Sequence, residues 1–163
     1  NIAIPLYPVL KKYNEPMALS AIIFRIIETM SYIITVLCYF GFLALSEDFV
    51  STGSSEDATY YIITRIISTI YDVNGIILSM AFGFGFLLYA IIFYKANLIP
   101  RWLSTLGLFG ASLVLTGQFL LFFGIGHKMS IVFELPTLLF ELIVGFWLII
   151  KGFDLESLKK LDK

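Results

Sequence analysis

Four segments of this chain, at about 17–45, 74–94, 102–123 and 130–150, are each long and apolar enough to cross a lipid bilayer. A helix needs about 20 apolar residues to span a hydrocarbon core of about 30 Å. The stretches between them are polar or rich in breakers. The 46–57 stretch is polar and acidic; Asn97 and Pro100 interrupt the second connection, and Gly124, Gly126, His127 and Lys128 the third. Such short connections predict antiparallel neighbours. The expected fold is therefore an all-α integral membrane bundle, antiparallel, with four complete transmembrane helices and an N-terminal stub, forming one domain over 1–163.

Composition supports the same class. Of the 163 residues, 59% are hydrophobic and 14% charged, too little polar surface to cover a water-exposed globule. A cytosolic enzyme, a disordered tail and a disulfide-rich secreted module are excluded. The net charge of −1 supplies no basic field to recruit nucleic acid. Cys38 stands alone, so no intrachain disulfide and no Cys-based metal site is expected.

Charge placement predicts an orientation. Lys11, Lys12, Lys95, Arg101, Lys151, Lys159, Lys160 and Lys163 fall on one side of an alternating four-span topology, and Lys128 alone lies in a loop on the other. Retention of basic residues inside then makes the C-terminus cytoplasmic and the 46–57 loop, with Glu47, Asp48, Glu56 and Asp57, external in a plasma membrane. Tyr94, Trp102 and Trp147 lie near the inner helix ends, where amphipathic rings favour the headgroup layer. The apolar run 1–10, with Pro5 and Pro8 ahead of Lys11 and Lys12, reads as the tail of a preceding helix, so the chain is expected to be a fragment. The 58–72 segment sets Ile62, Ile63, Ile66, Ile67 and Ile70 against Thr64, Arg65, Ser68, Thr69 and Asp72, a helical amphipathic spacing. Asp57 is a candidate cap for its N-terminus, and the segment either lies on the outer surface or runs on into the second span.

Ionisable groups at membrane depth cost roughly 2.5–3.5 kcal/mol each on insertion scales and usually face a bundle interior. Arg25, Glu28, Tyr32, Thr35 and Tyr39 follow three- and four-residue spacings, which put them on one helix face. Counting inward from the basic end, Arg25, Glu28 and Glu141 reach a common depth, about 12 to 16 Å. A buried Arg25, Glu28 and Glu141 cluster is expected, and two carboxylates around one guanidinium call for a bound proton or a further donor. Tyr32, Asn74 and Gln118 are the candidates. Such a cluster either fixes helix register or forms a proton, ion or ligand site. Glu141 is the better relay group, because Glu28 has a local arginine. A second set near the outer ends, Arg65, Asp72, His127 and Glu134, reads more simply as solvated helix-end charges, and one histidine is weak ground for a metal. Gly107, Gly110, Gly117 and Gly124 mark the third span as a close-contact helix, and Gly145 permits similar approach on the last. The sixteen phenylalanines read as core and lipid-facing bulk. Pro136 either kinks the last span or sits in its first turn. No haem histidine pair, HExxH motif or nucleophile elbow is present, so no catalytic residue, metal or cofactor is expected.

Three stretches carry a family likeness. They are Ile4-Pro-Leu-Tyr-Pro-Val-Leu-Lys-Lys-Tyr-Asn-Glu15 continuing to Phe24-Arg-Ile-Ile-Glu28, then Leu98-Ile-Pro-Arg-Trp-Leu-Ser-Thr-Leu-Gly107, then Phe140-Glu-Leu-Ile-Val-Gly-Phe-Trp-Leu-Ile-Ile-Lys-Gly-Phe153. In this order and spacing the chain resembles the prokaryotic multi-spanning proteins of the domain of unknown function 4386 family. The resemblance implies about six spans in a full-length member and brings no activity, cofactor or site residue. Two functions are carried forward, the first as the leading reading and the second as its alternative. One is an accessory, sensing or structural membrane component in contact with the lipid bilayer and a membrane protein partner. The other is a small-solute, ion or lipid-binding permease that uses the Arg/Glu cluster.

Overall fold

The computed structural model describes residues 3–52, 58–125, 130–154 and 158. Five helices follow in order: α1 (Ala3–Leu10), α2 (Glu15–Thr52), α3 (Ala58–Ala96), α4 (Arg101–Phe122) and α5 (Ser130–Ile150). The last four are long and apolar enough to cross a membrane, whereas α1 is a short helix packed on α2.

Local chemistry sets the helix ends. The Asn14 side chain accepts the Met17 amide at 3.0 Å, an N-cap that lets α2 start beside Pro16. At the other end of α3, Asn97 takes a positive φ of 52° and the Leu98 amide bonds back to the Phe93 carbonyl, after which Pro100 blocks any continuation. Gly124, at φ 74°, closes α4 in the same way, with the Ile125 amide on the Leu120 carbonyl. Past the end of α5, the Asp154 amide bonds the Leu98 carbonyl at 3.1 Å. That bond ties the chain after α5 to the α3–α4 connection.

One boundary differs from the sequence expectation, and one open alternative is resolved. The 46–52 part of the expected loop is helical and belongs to α2. Ser46 and Ser51 turn their hydroxyls onto the Leu43 and Asp48 carbonyls, Tyr60 donates to the Asp48 carboxylate, and the Phe49 and Tyr60 rings meet edge to face. Packing on α3 thus outweighs the polar composition of these turns. Residues 53–57, with Glu56 and Asp57, lie outside the described residues. The 58–72 segment takes the second of its two expected placements and continues into the following span as one helix.

Helix pairing is antiparallel throughout. On α2 and α3, Tyr39 meets Tyr71, Ser31 and Thr35 meet Asn74, and Phe24 meets Phe84. At 1.5 Å per residue α2 and α3 are each nearly 60 Å long, against about 32 Å for α4 and α5. The far turns of α2 and α3 consequently run past α4 and α5 as a two-helix hairpin, with Phe40, Leu43, Ile62, Ile66 and Ile70 exposed on it. The core lies at the opposite, basic end, where Leu10, Ala18 and Ala21 pack with Phe86, Ile92, Phe93, Leu98, Leu103 and Phe140.

Glycines decide how closely the spans approach. Gly107 of α4 faces the Phe140 ring, Gly110 the Pro136–Thr137 backbone, and Gly117 the Phe133 ring, all on α5. Gly83 of α3 receives Leu115 and Gly85 receives Phe24. Pro136 lies inside α5, beyond its first turn, and its backbone forms part of this contact. A Cβ at position 110 would stand 2.9 Å from Thr137 Cγ2 and 3.1 Å from the Thr137 amide nitrogen. Gly110→Ala should therefore cost about 1–3 kcal/mol through overpacking. Gly75→Ala, whose Cβ meets nothing within 4 Å, should stabilise α3 by about 0.5–1 kcal/mol. Thermal denaturation of both purified variants checks the contrast; equal midpoints would remove the close-approach explanation.

Candidate functional site: an ion triad over an intramembrane groove

Arg25 on α2 is one turn before Glu28, and its Nη1 donates to Glu28 Oε2 at 2.8 Å. Its Nη2 also faces Glu141 Oε1 on α5 at 3.7 Å, an electrostatic contact too long for a hydrogen bond. The guanidinium lies over the Phe82 and Tyr89 rings of α3, at 5.2 and 5.7 Å. One cation thus engages three helices: α2 through Glu28, α3 through the rings, and α5 through Glu141. Ring faces suit a guanidinium because their quadrupole presents negative potential to it.

The three ionic groups are not equally enclosed. Glu28 is buried, whereas the Glu141 side chain is 44% accessible against 19% for Arg25. The expectation of a wholly buried cluster is corrected for Glu141, because α5 is an edge helix and leaves a groove open between itself and α2. That groove has a cavity of about 600 Å³, walled by Leu6, Arg25, Glu28 and Thr29 on one side and Phe140, Glu141, Val144, Gly145 and Leu148 on the other. Phe86, Tyr89 and Phe93 of α3 form its floor. A second cavity of about 260 Å³ shares Glu141 with the first and adds Tyr32, Phe82, Glu134 and Thr137.

The candidate donors go elsewhere. Asn74 is buried and donates through Nδ2 to the Ser31 carbonyl and to Thr35 Oγ1, both at 3.0 Å. The antiparallel register places it nearer Ser31 and Thr35 than Glu28, so it joins α2 to α3 rather than completing the triad. Gln118 is buried on α4, and no hydrogen bond links it to Arg25, Glu28 or Glu141 among the described residues. Tyr32 is exposed and lines the smaller cavity. Among the described residues the outer set does not assemble either. Arg65 is exposed and meets the Tyr61 hydroxyl at 3.3 Å. Asp72 is exposed on the same helix, Glu134 turns into the smaller cavity, and His127 lies outside the described residues.

Tyr89 was missing from the sequence-derived site. Its spacing held the signal: Phe82, Phe86, Tyr89 and Phe93 recur at four, three and four residues, one face of a helix. Reading the phenylalanines only as bulk conceals that stripe. Thr29 and Phe140 also enter the groove wall only through the tertiary arrangement.

Four apolar helices of spanning length, packed through small residues with ionic groups turned inward, define a multi-pass integral membrane protein. The chain belongs to the family described as Domain of unknown function (DUF4386), which it matches over residues 1–152. No curated protein and no solved structure matches it.

Removing the cation should expose the dependence of α2 on it. Arg25→Met leaves the buried Glu28 carboxylate without its partner and should destabilise the protein by about 3 kcal/mol. Arg25→Met combined with Glu28→Gln should recover part of that loss. Thermal melts of the wild type and both variants check this; a double variant no better than the single one would contradict the pairing.

Proposed function

We propose that the protein is a membrane-embedded binding protein, of the small-solute or lipid permease kind, whose ligand occupies the groove between α2 and α5. The observation that carries this reading is the Arg25–Glu28–Glu141 triad in the wall of an otherwise largely apolar cavity of about 600 Å³. Ligand sites commonly combine that size range with apolar walls and a few convergent polar groups. On this reading the basic end, with Lys11, Lys12, Lys95 and Lys151, faces the cytoplasm of a plasma membrane, following the retention of basic residues inside.

An accessory or sensing role is the second reading. It draws on the outer hairpin of α2 and α3, where Phe40, Leu43, Ile62, Ile66 and Ile70 stand exposed, a patch of the kind that meets lipid or another protein.

Gly145 separates the two. It lines the groove, and a Cβ there meets nothing within 4 Å, so Gly145→Phe places a ring in the groove from a backbone position with room for a side chain. Native mass spectrometry of the gently extracted wild type should show one stoichiometric small-molecule or lipid adduct. Gly145→Phe should abolish that adduct while leaving the thermal midpoint within a few degrees. A stoichiometric protein partner, with no adduct sensitive to Gly145→Phe, would transfer support to the accessory reading.

A further inference from the structure

The groove carries more chemical information than its size. Arg25 and Glu28 pair at 2.8 Å, so Glu141, at 3.7 Å from the same guanidinium and 44% accessible, shares a cation that is already paired. Arg25, Glu28 and Glu141 are the charged groups lining this cavity, so its formal charge is −1. A carboxylate at this depth is costly unless a cation or a proton meets it.

A second observation concerns Tyr89. The residue is 6% exposed, lines the same cavity, and its hydroxyl oxygen is a buried side-chain atom with no hydrogen-bond partner among the described residues. Buried tyrosine hydroxyls normally have one, so this oxygen gains from a side-chain turn that brings it onto a donor in the groove. Leu6, Val144 and Leu148, each partly buried, line the same groove and suit an apolar body.

We infer that the groove's ligand is a protonated amine on an apolar body, its ammonium group met by the Glu141 carboxylate and the Tyr89 hydroxyl oxygen, its hydrocarbon part lying along Leu6, Val144 and Leu148. The ammonium donates to the Glu141 carboxylate and neutralises the wall, and a turn of the Tyr89 side chain lets its oxygen accept a second ammonium proton. Thr29 stands on the opposite wall and can supply a further hydroxyl. This inference rests on the ligand-binding reading proposed above and narrows it to a chemical class.

Three probes with the same chain and different heads test it: decylammonium, decanol and decanoate. Binding to the purified full chain in a non-ionic detergent is measured for the wild type, Glu141→Gln, Tyr89→Phe and Gly145→Phe. Decylammonium should bind at least tenfold more tightly than decanol, with decanoate weakest. Glu141→Gln should weaken decylammonium about tenfold and so erase its preference over decanol. Tyr89→Phe should weaken decylammonium by a few-fold, the effect of losing one hydrogen bond, and Gly145→Phe should weaken both decylammonium and decanol. Equal binding of all three probes, lost in Gly145→Phe, would overturn the amine assignment while keeping the groove as a binding site. Tightest binding of decanoate would overturn it in favour of recognition by Arg25. Binding of no probe, together with a mass spectrum unaltered by Gly145→Phe, would overturn both. Circular dichroism and thermal midpoints of each variant separate lost binding from lost fold.

Discussion

The close seating of α5 against α4 governs the rest of the arrangement. In lipid, two apolar helices gain little from merely touching, since the acyl chains offer the same surface, so association depends on close packing and polar contacts. Gly107, Gly110 and Gly117 provide the first of these by admitting Phe140, Thr137 and Phe133 into the α4 surface. Seating Phe140 there also brings its ring edge to face with Phe86 of α3, 5.1 Å between centroids. The next residue in the chain is Glu141. A packing contact on one face of α5 thereby fixes the depth of a carboxylate on another.

The same seating leaves α2 and α5 as opposite walls rather than direct neighbours. Both pack inward, on α3 and α4 respectively, and Arg25 reaches across the space between them. A guanidinium suits that position because it can pair with Glu28, face Glu141 and lie over two aromatic rings at once. The two carboxylates then differ by environment: one is buried and paired, the other open to the groove. A division of this kind lets one carboxylate support the fold while the other remains available for a ligand.

Much of the fold was legible in the chain because bilayer thickness fixes the length of a spanning helix and breakers mark its ends. Asn97, Pro100 and Gly124 stop their helices by local backbone chemistry, which a sequence states directly. The end of α2 was misread because Ser46, Glu47 and Asp48 look like loop residues, yet the Phe49 and Asp48 contacts with Tyr60 keep those turns helical. The site was legible in part. Arg25, Glu28 and Glu141 could be placed at one depth by counting residues, but the destinations of Asn74 and Gln118 could not, since both depend on which face of a helix meets which neighbour.

What the sequence by itself determined is what depends on one segment at a time: the number and length of the apolar helices, most of their ends, their antiparallel order, and the presence of charges that no lipid-facing surface accommodates comfortably. What only the tertiary structure decided is which faces meet. It turned Glu134 inward beside Tyr32, sent Asn74 to Ser31 and Thr35, and buried the Tyr89 hydroxyl without a hydrogen-bond partner among the described residues. The physical reason is that helix periodicity groups residues on a face, whereas the rotation and register of each helix against its neighbours come from steric contacts between residues far apart in the chain, here chiefly those of α5 against the glycines of α4.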